Sequence, residues 1–227
     1  MSTLAAAFDL VMFDLDGTLV DSLPDIAAAL NHTLRHAGLP PLSHAQVAVY
    51  VGDGAAKLVQ RAVPDDTRPA ALAELVAMFR ADYAQHLCVE TRTYPGIEEV
   101  LRRLSSSLPL AVLTNKPGEL ARPLLAALGL DRFFAQVIGD GDGFARKPDP
   151  DAGRWLLRHH GVEASRALVI GDGIPDLRFA QALGSAAAAA TWGYVTRALQ
   201  AAERPTWLVD APEQLLTLVF PEPINPA

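Results

Sequence analysis

The chain has 227 residues, half of them hydrophobic, with 26 acidic and 19 basic side chains and a formal charge of −7. That length supports one sizeable core with room for a small insertion, and an acidic balance without a basic stripe argues against a nucleic-acid partner. A lone cysteine, Cys88, excludes an internal disulfide and fits a reducing compartment; with no apolar run of membrane-spanning length and no basic region ahead of the apolar start, a cytoplasmic protein without a membrane partner is expected.

In chain order, the first apolar run is Leu10–Phe13, read as a buried strand that leads into Asp14-Leu15-Asp16-Gly17-Thr18. About ninety residues without a strand-like run follow, read as helices only: 24–36, 43–49, 54–63, and a longer one from Thr67 and Pro69. In the last, Leu72, Leu75, Val76, Phe79, Tyr83 and Leu87 recur at helical spacing. Further strands are predicted at 108–114, 136–139, Ala167–Gly171 and 186–191. The run at 186–191 is nearly all alanine, and propensity alone would make it a helix. Gly184 before it and Trp192-Gly193-Tyr194 after it favour a strand. Helical patterns alternate with these strands. One opens at Pro117 and ends at Gly129; another opens at Asp149-Pro150 and closes before Gly161. The alternation predicts a doubly wound parallel α/β core.

Strand ends are where open α/β sheets hold their ligands. Two aspartates one residue apart at such an end, Asp14 and Asp16, can share a divalent cation while doing different chemical work. Gly17 and Thr18 supply a tight turn with amides facing an anion. Downstream, Val112-Leu113-Thr114-Asn115 ends a strand in a hydroxyl. Arg146-Lys147-Pro148-Asp149-Pro150 places a lysine before a helix start, and Val169-Ile170-Gly171-Asp172 leads to a second acid, Asp176. No His or Cys grouping has zinc spacing.

Aspartate pair, threonine, lysine and acidic pair, in that order on strand ends, resemble the haloacid dehalogenase superfamily of phosphohydrolases. The resemblance implies a Rossmann-like core of residues 1–20 and 93–227, with a helical cap of residues 21–92 inserted after the first motif. It implies Asp14 as nucleophile forming an aspartyl-phosphate and Asp16 as general acid/base. Thr114 and Asn115 would bind the phosphoryl group, and Lys147 would offset its charge. Mg²⁺ would be held by the Asp14 side chain, the Asp16 carbonyl and Asp172, with Asp176 in or beside the ligand set; a plain helix-start acid is the competing reading of Asp176. Superfamily dehalogenases and phosphonate hydrolases lack an acid at the position of Asp16, so a phosphate ester is expected. Within the superfamily, Val51-Gly52-Asp53-Gly54-Ala55-Ala56-Lys57, Thr114-Asn115-Lys116-Pro117 and Trp192-Gly193-Tyr194 are similar to the phosphoglycolate phosphatase group. That likeness implies a small phosphorylated metabolite, 2-phosphoglycolate, as substrate. Gly52 would lie in its binding loop, and Lys57 or Arg61 would meet its carboxylate; a solvated helix face is the competing reading of the two cations. Another sugar-phosphate or nucleotide phosphatase, a sugar phosphomutase, and a phospho-acceptor signalling domain remain alternatives.

Overall fold

A computed structural model describes residues 6–221; the extreme N-terminus, residues 1–5, where a targeting signal was sought, lies outside them. Strand β1 (Leu10–Phe13) is buried at every position. Its side chains alternate between two hydrophobic clusters, one on each face of the sheet. Val11 and Phe13 pack with Leu101, Leu124 and Leu215. Leu10 and Met12 pack with Leu156, Leu177 and Phe179. A strand covered on both faces needs apolar residues throughout, which is why the run reads as continuous instead of alternating.

After β1 the chain forms a two-residue strand β2 (Val20–Asp21), then helices α1 (Leu23–His36), α2 (His44–Tyr50), α3 (Ala55–Ala62) and α4 (Pro69–Gln85), and returns through β3 (Arg92–Thr93). The stretch is thus not purely helical: β2 and β3 pair antiparallel, joining the outgoing and returning segments. Two residues per strand is too short to show in a hydrophobic pattern. Helix α2 starts on a capping box between Ser43 and Gln46. The four helices share their own apolar cluster, with Ile26, Leu30, Leu58, Phe79 and Tyr83 at its centre and Leu120 reaching in from beyond the insertion.

The remainder alternates α5 (Ile97–Ser105), β4 (Leu110–Pro117), α6 (Gly118–Ala127), β5 (Gln136–Asp140), α7 (Asp151–His160), β6 (Ala167–Gly171), α8 (Ile174–Leu183), β7 (Ala186–Ala190), α9 (Arg197–Ala202), β8 (Trp207–Val209) and α10 (Gln214–Val219). Six strands form one sheet in the order β5-β4-β1-β6-β7-β8, with every pairing parallel. The alanine run is a strand, as its flanks suggested. Ala187 and Ala189 face the cluster containing Leu177 and Phe179, and Ala188 faces the other, so bulky helix residues fill the space these small side chains leave. The edge strand β8 carries no sequence signal strong enough to predict it. Strand β4 extends to Pro117, further than the pattern suggested, through a register shift between Leu113 and Pro117.

Phe13 is level with both Val112 and Ile170. The segments that follow, carrying Asp14 and Asp16, Thr114 to Lys116, and Asp172, therefore leave the sheet side by side at its carboxyl edge. Among the described residues, no helix is long and apolar enough to cross a membrane.

Candidate active site

Three carboxylates converge where β1 and β6 end. One oxygen from each of Asp14, Asp172 and Asp176 lies within 4.8 Å of the others. Hard oxygen donors alone, in a buried group of like charge, fit a divalent cation such as Mg²⁺. Each acid is oriented by other groups. Asp172 accepts the Thr18 hydroxyl at 3.1 Å and the Tyr194 amide at 2.7 Å. Asp176, in the first turn of α8, accepts the Gly173 amide at 2.9 Å. The Lys147 ammonium donates to Asp14 at 2.6 Å, to Asp176 at 2.5 Å and to the Leu113 carbonyl at 2.6 Å, which uses all three of its protons.

The electrostatics follow from burial and crowding. Burial, reinforced by Asp176, pushes the Asp14 carboxyl up to about 7 against the pull of Lys147. Burial, with Asp14 and Asp176 nearby, pushes Asp172 up to about 8. For Lys147, burial by itself favours the neutral amine, but Asp14 and Asp176 outweigh it and hold the ammonium charged well above its ordinary range.

Asp16 faces differently. Its Oδ1 accepts the Ser22 hydroxyl at 2.5 Å and the Lys116 ammonium at 2.9 Å; its Oδ2 has no partner among the described residues. Ser22 is itself fixed by the Tyr194 hydroxyl, which accepts the Ser22 amide at 2.8 Å and the Leu23 amide at 3.0 Å. Asp14 and Asp16 stand between two cavities. One is bounded by Lys147, Asp172, Asp176 and Gly52. The other, about 60 Å³, runs under the helical insertion past Thr114, Lys116, Tyr83 and an apolar wall that includes Leu58 and Phe79.

The predicted residues thus divide. Asp14, Asp16, Thr114, Asn115, Lys147, Asp172 and Gly52 line the two cavities, with Asp176 among them. The Thr114 oxygen accepts the Lys116 amide at 3.1 Å, leaving its own proton to donate. The Asn115 side chain is engaged structurally: it donates to the carbonyls of Gly52 at 2.9 Å and Lys147 at 3.1 Å, and accepts the Lys147 amide at 2.9 Å. It ties the loop of the insertion to the lysine segment.

Lys57 and Arg61 correct the expectation placed on them. Lys57 donates to Gln60 on an exposed face. Arg61 pairs with Asp53 and donates to the Tyr50 carbonyl, and neither residue borders either cavity. One helical turn of α3 carries both outward while Leu58 and Val59 face the core. The cation that does border the second cavity is Lys116, which the sequence motifs did not single out as a site residue; it lies inside Leu110–Pro117, a strand buried at every position. Tyr83, read as a core residue of α4, meets it there, with its hydroxyl 2.6 Å from the ammonium.

A parallel sheet with helices on both faces, a helical insertion after the first strand, and a trio of acids beside a saturated lysine define an α/β protein of the kind that can carry an acidic, metal-competent catalytic site. The sequence model of the haloacid dehalogenase-like hydrolases matches residues 11–190. The chain belongs to that family, and as an enzyme it is one of the family's phosphatases. It is 38% identical over 213 residues to phosphoglycolate phosphatase 1 of Pseudomonas aeruginosa, covering 91% of this chain and 78% of that one. It is 34% identical over 220 residues to the phosphoglycolate phosphatase of Haemophilus influenzae, covering 93% and 98%. A crystal structure of a predicted phosphoglycolate phosphatase from Haemophilus somnus superposes with a TM-score of 0.87 at 33% identity, covering 93% of this chain and 98% of that one.

Proposed function

We propose that the protein is a Mg²⁺-dependent phosphomonoester hydrolase that converts 2-phosphoglycolate to glycolate and phosphate through an aspartyl-phosphate on Asp14. The observation that carries this reading is the position of Asp14: its carboxylate is shared between Lys147 at 2.6 Å and the acidic trio, while it also borders the cavity beside Asp16. The phosphoryl group would lie on the acidic side and the alcohol half under the insertion. The relatives named as phosphoglycolate phosphatases support the choice of ester.

In the first step an Asp14 oxygen attacks phosphorus and the bond from phosphorus to the alcohol oxygen breaks. Asp16 gives its proton to that oxygen. Oδ2 is the atom for this, since Ser22 and Lys116 occupy Oδ1. In the second step Asp16 takes a proton from water, which attacks the phosphorus and restores Asp14. Lys147 holds the Asp14 carboxylate in place and supplies positive charge to the phosphoryl oxygens; the Thr114 hydroxyl donates to one of them. Asp14, the Asp16 carbonyl, Asp172 and Asp176 would hold Mg²⁺, which supplies further charge neutralisation for the transferring group.

The test is phosphate release from 2-phosphoglycolate and a panel of small esters, with Mg²⁺ and with chelator. A Mg²⁺-dependent preference in kcat/KM for 2-phosphoglycolate, lost in Asp14→Asn with the fold retained, is the expected result. Full activity in Asp14→Asn would remove the aspartyl-phosphate, and preference for another ester would remove the substrate.

A further inference from the structure

We infer that Lys116 and Tyr83 form the seat for a carboxylate on the alcohol half of the ester and so set substrate preference; this rests on the phosphatase reading above. The cavity under the insertion is walled largely by apolar side chains, including Leu58, Phe79 and Leu120. Lys116 is the cationic residue that borders it. Its side chain is only 3% exposed, so the charge needs a partner within the protein or the substrate. An ammonium has three protons. Two are donated, to Asp16 at 2.9 Å and to the Tyr83 hydroxyl at 2.6 Å. The third has no acceptor among the described residues. The Tyr83 hydroxyl accepts from Lys116, and its own proton likewise has no acceptor there. Two unused donors therefore stand side by side at one cavity, Lys116 from the end of β4 and Tyr83 from α4.

Lys116 faces the Asp16 carboxylate at 2.9 Å, which leaves its remaining proton toward the cavity. The other nearby cations are engaged: Lys147 has donated all three protons, and Arg146 pairs with Asp140 at 2.8 Å. A cavity of about 60 Å³ has room for a few water-sized groups at about 10–15 Å³ each, enough for a two-carbon acid.

The experiment compares 2-phosphoglycolate with ethyl phosphate, which keeps the two carbons and lacks the carboxylate, in wild type, Lys116→Met and Tyr83→Phe. Lys116→Met removes the charge and keeps the length. Because Lys116 also touches Asp16, both esters will slow; the ratio of their kcat/KM values isolates the carboxylate. That ratio is expected to fall about 10–100-fold in Lys116→Met, the range of a charge-assisted hydrogen bond to a buried anion, and about 3–10-fold in Tyr83→Phe, the range of a neutral one. Binding of both compounds to Asp14→Asn and to Asp14→Asn/Lys116→Met by calorimetry reads the same contact without turnover. A ratio unchanged in Lys116→Met, with both esters slowed alike, would reduce Lys116 to a positioning residue for Asp16 and overturn the seat. A wild-type enzyme that turns over ethyl phosphate as readily would overturn the seat and leave the phosphatase chemistry standing. Release from neither ester would overturn the phosphatase reading, and calorimetry would then decide the seat by whether Lys116→Met weakens binding of the carboxylated compound alone.

Discussion

The carboxylate of Asp25, near the start of α1, accepts both the hydroxyl of Thr91 at 2.7 Å and its amide at 2.9 Å. The same carboxylate also accepts the amides of Val89 and Glu90, each at 3.0 Å. One buried side chain thus binds the outgoing segment of the helical insertion to the returning one, beside the β2–β3 pair. Asp25→Ala leaves several buried donors unpaired and is expected to cost about 2–4 kcal/mol in unfolding by denaturant. Asp25→Asn, which keeps one acceptor oxygen, should cost about half as much. A change under about 0.5 kcal/mol in Asp25→Ala would show that this junction is held by the strand pair alone.

Gly17 supports the acidic trio from behind. Its φ is +84°, and a Cβ there would stand 2.5 Å from an Asp172 carboxylate oxygen. Both the left-handed conformation and the lack of space demand glycine. Gly17→Ala is therefore expected to displace Asp172 and weaken Mg²⁺ by about 10–100-fold, as changes behind metal ligands do. Calorimetric titration of Mg²⁺ checks this directly. Unchanged affinity would mean that Asp172 is not a ligand.

These two relationships show what the sequence could and could not reveal. Asp14, Asp16, Lys147 and Asp172 stand in motifs whose order along the chain is fixed by strand ends, so one-dimensional spacing carries them. The parallel core was legible for the same reason: buried strands such as Leu10–Phe13 are continuous apolar runs. Lys116 was not, because it depends on the register shift at the end of β4, which turns a loop-like Thr-Asn-Lys-Pro into part of a buried strand. Tyr83 lies at helical spacing from Phe79, and periodicity cannot tell a packing ring from one whose hydroxyl meets a lysine. Lys57 and Arg61 were assigned by the likeness of the loop before α3 to a family, and such a likeness does not say which face of α3 turns toward the cavities. Asp25 has no sequence signature at all, since its partners are backbone amides some sixty-five residues away.

Metal removal should couple to pH. Asp14 and Asp172 have folded-state values raised from 3.8 to about 7 and about 8. A raised carboxyl binds its proton more tightly folded than unfolded, so ionising it on folding costs stability. The cost is absent below the unfolded value and grows as pH rises toward the folded one. In chelator, the thermal midpoint should therefore fall from about pH 5 to about pH 8 as these acids lose their protons. A divalent cation needs the ionised forms, so its stabilisation should be larger at about pH 8 than at about pH 5. Thermal melts with and without Mg²⁺ at both pH values test this. An equal Mg²⁺ shift at the two would separate cation binding from the trio.

The proposed acid/base role of Asp16 is one that kinetics can distinguish from mere support. Proton donation matters most when the departing alkoxide is a strong base. Asp16→Ala should slow alkyl esters such as 2-phosphoglycolate by about 10²–10⁴-fold. For p-nitrophenyl phosphate, whose leaving group departs without help, the formation of the aspartyl-phosphate should be little affected. Breakdown of that intermediate still needs a base to activate water, so p-nitrophenol should appear in a rapid burst followed by a slow steady rate. Rapid-mixing measurements of p-nitrophenol release read both phases. Loss of the burst, with both esters slowed by the same factor, would show that Asp16 holds the Ser22 and Lys116 contacts in place and does not transfer the proton.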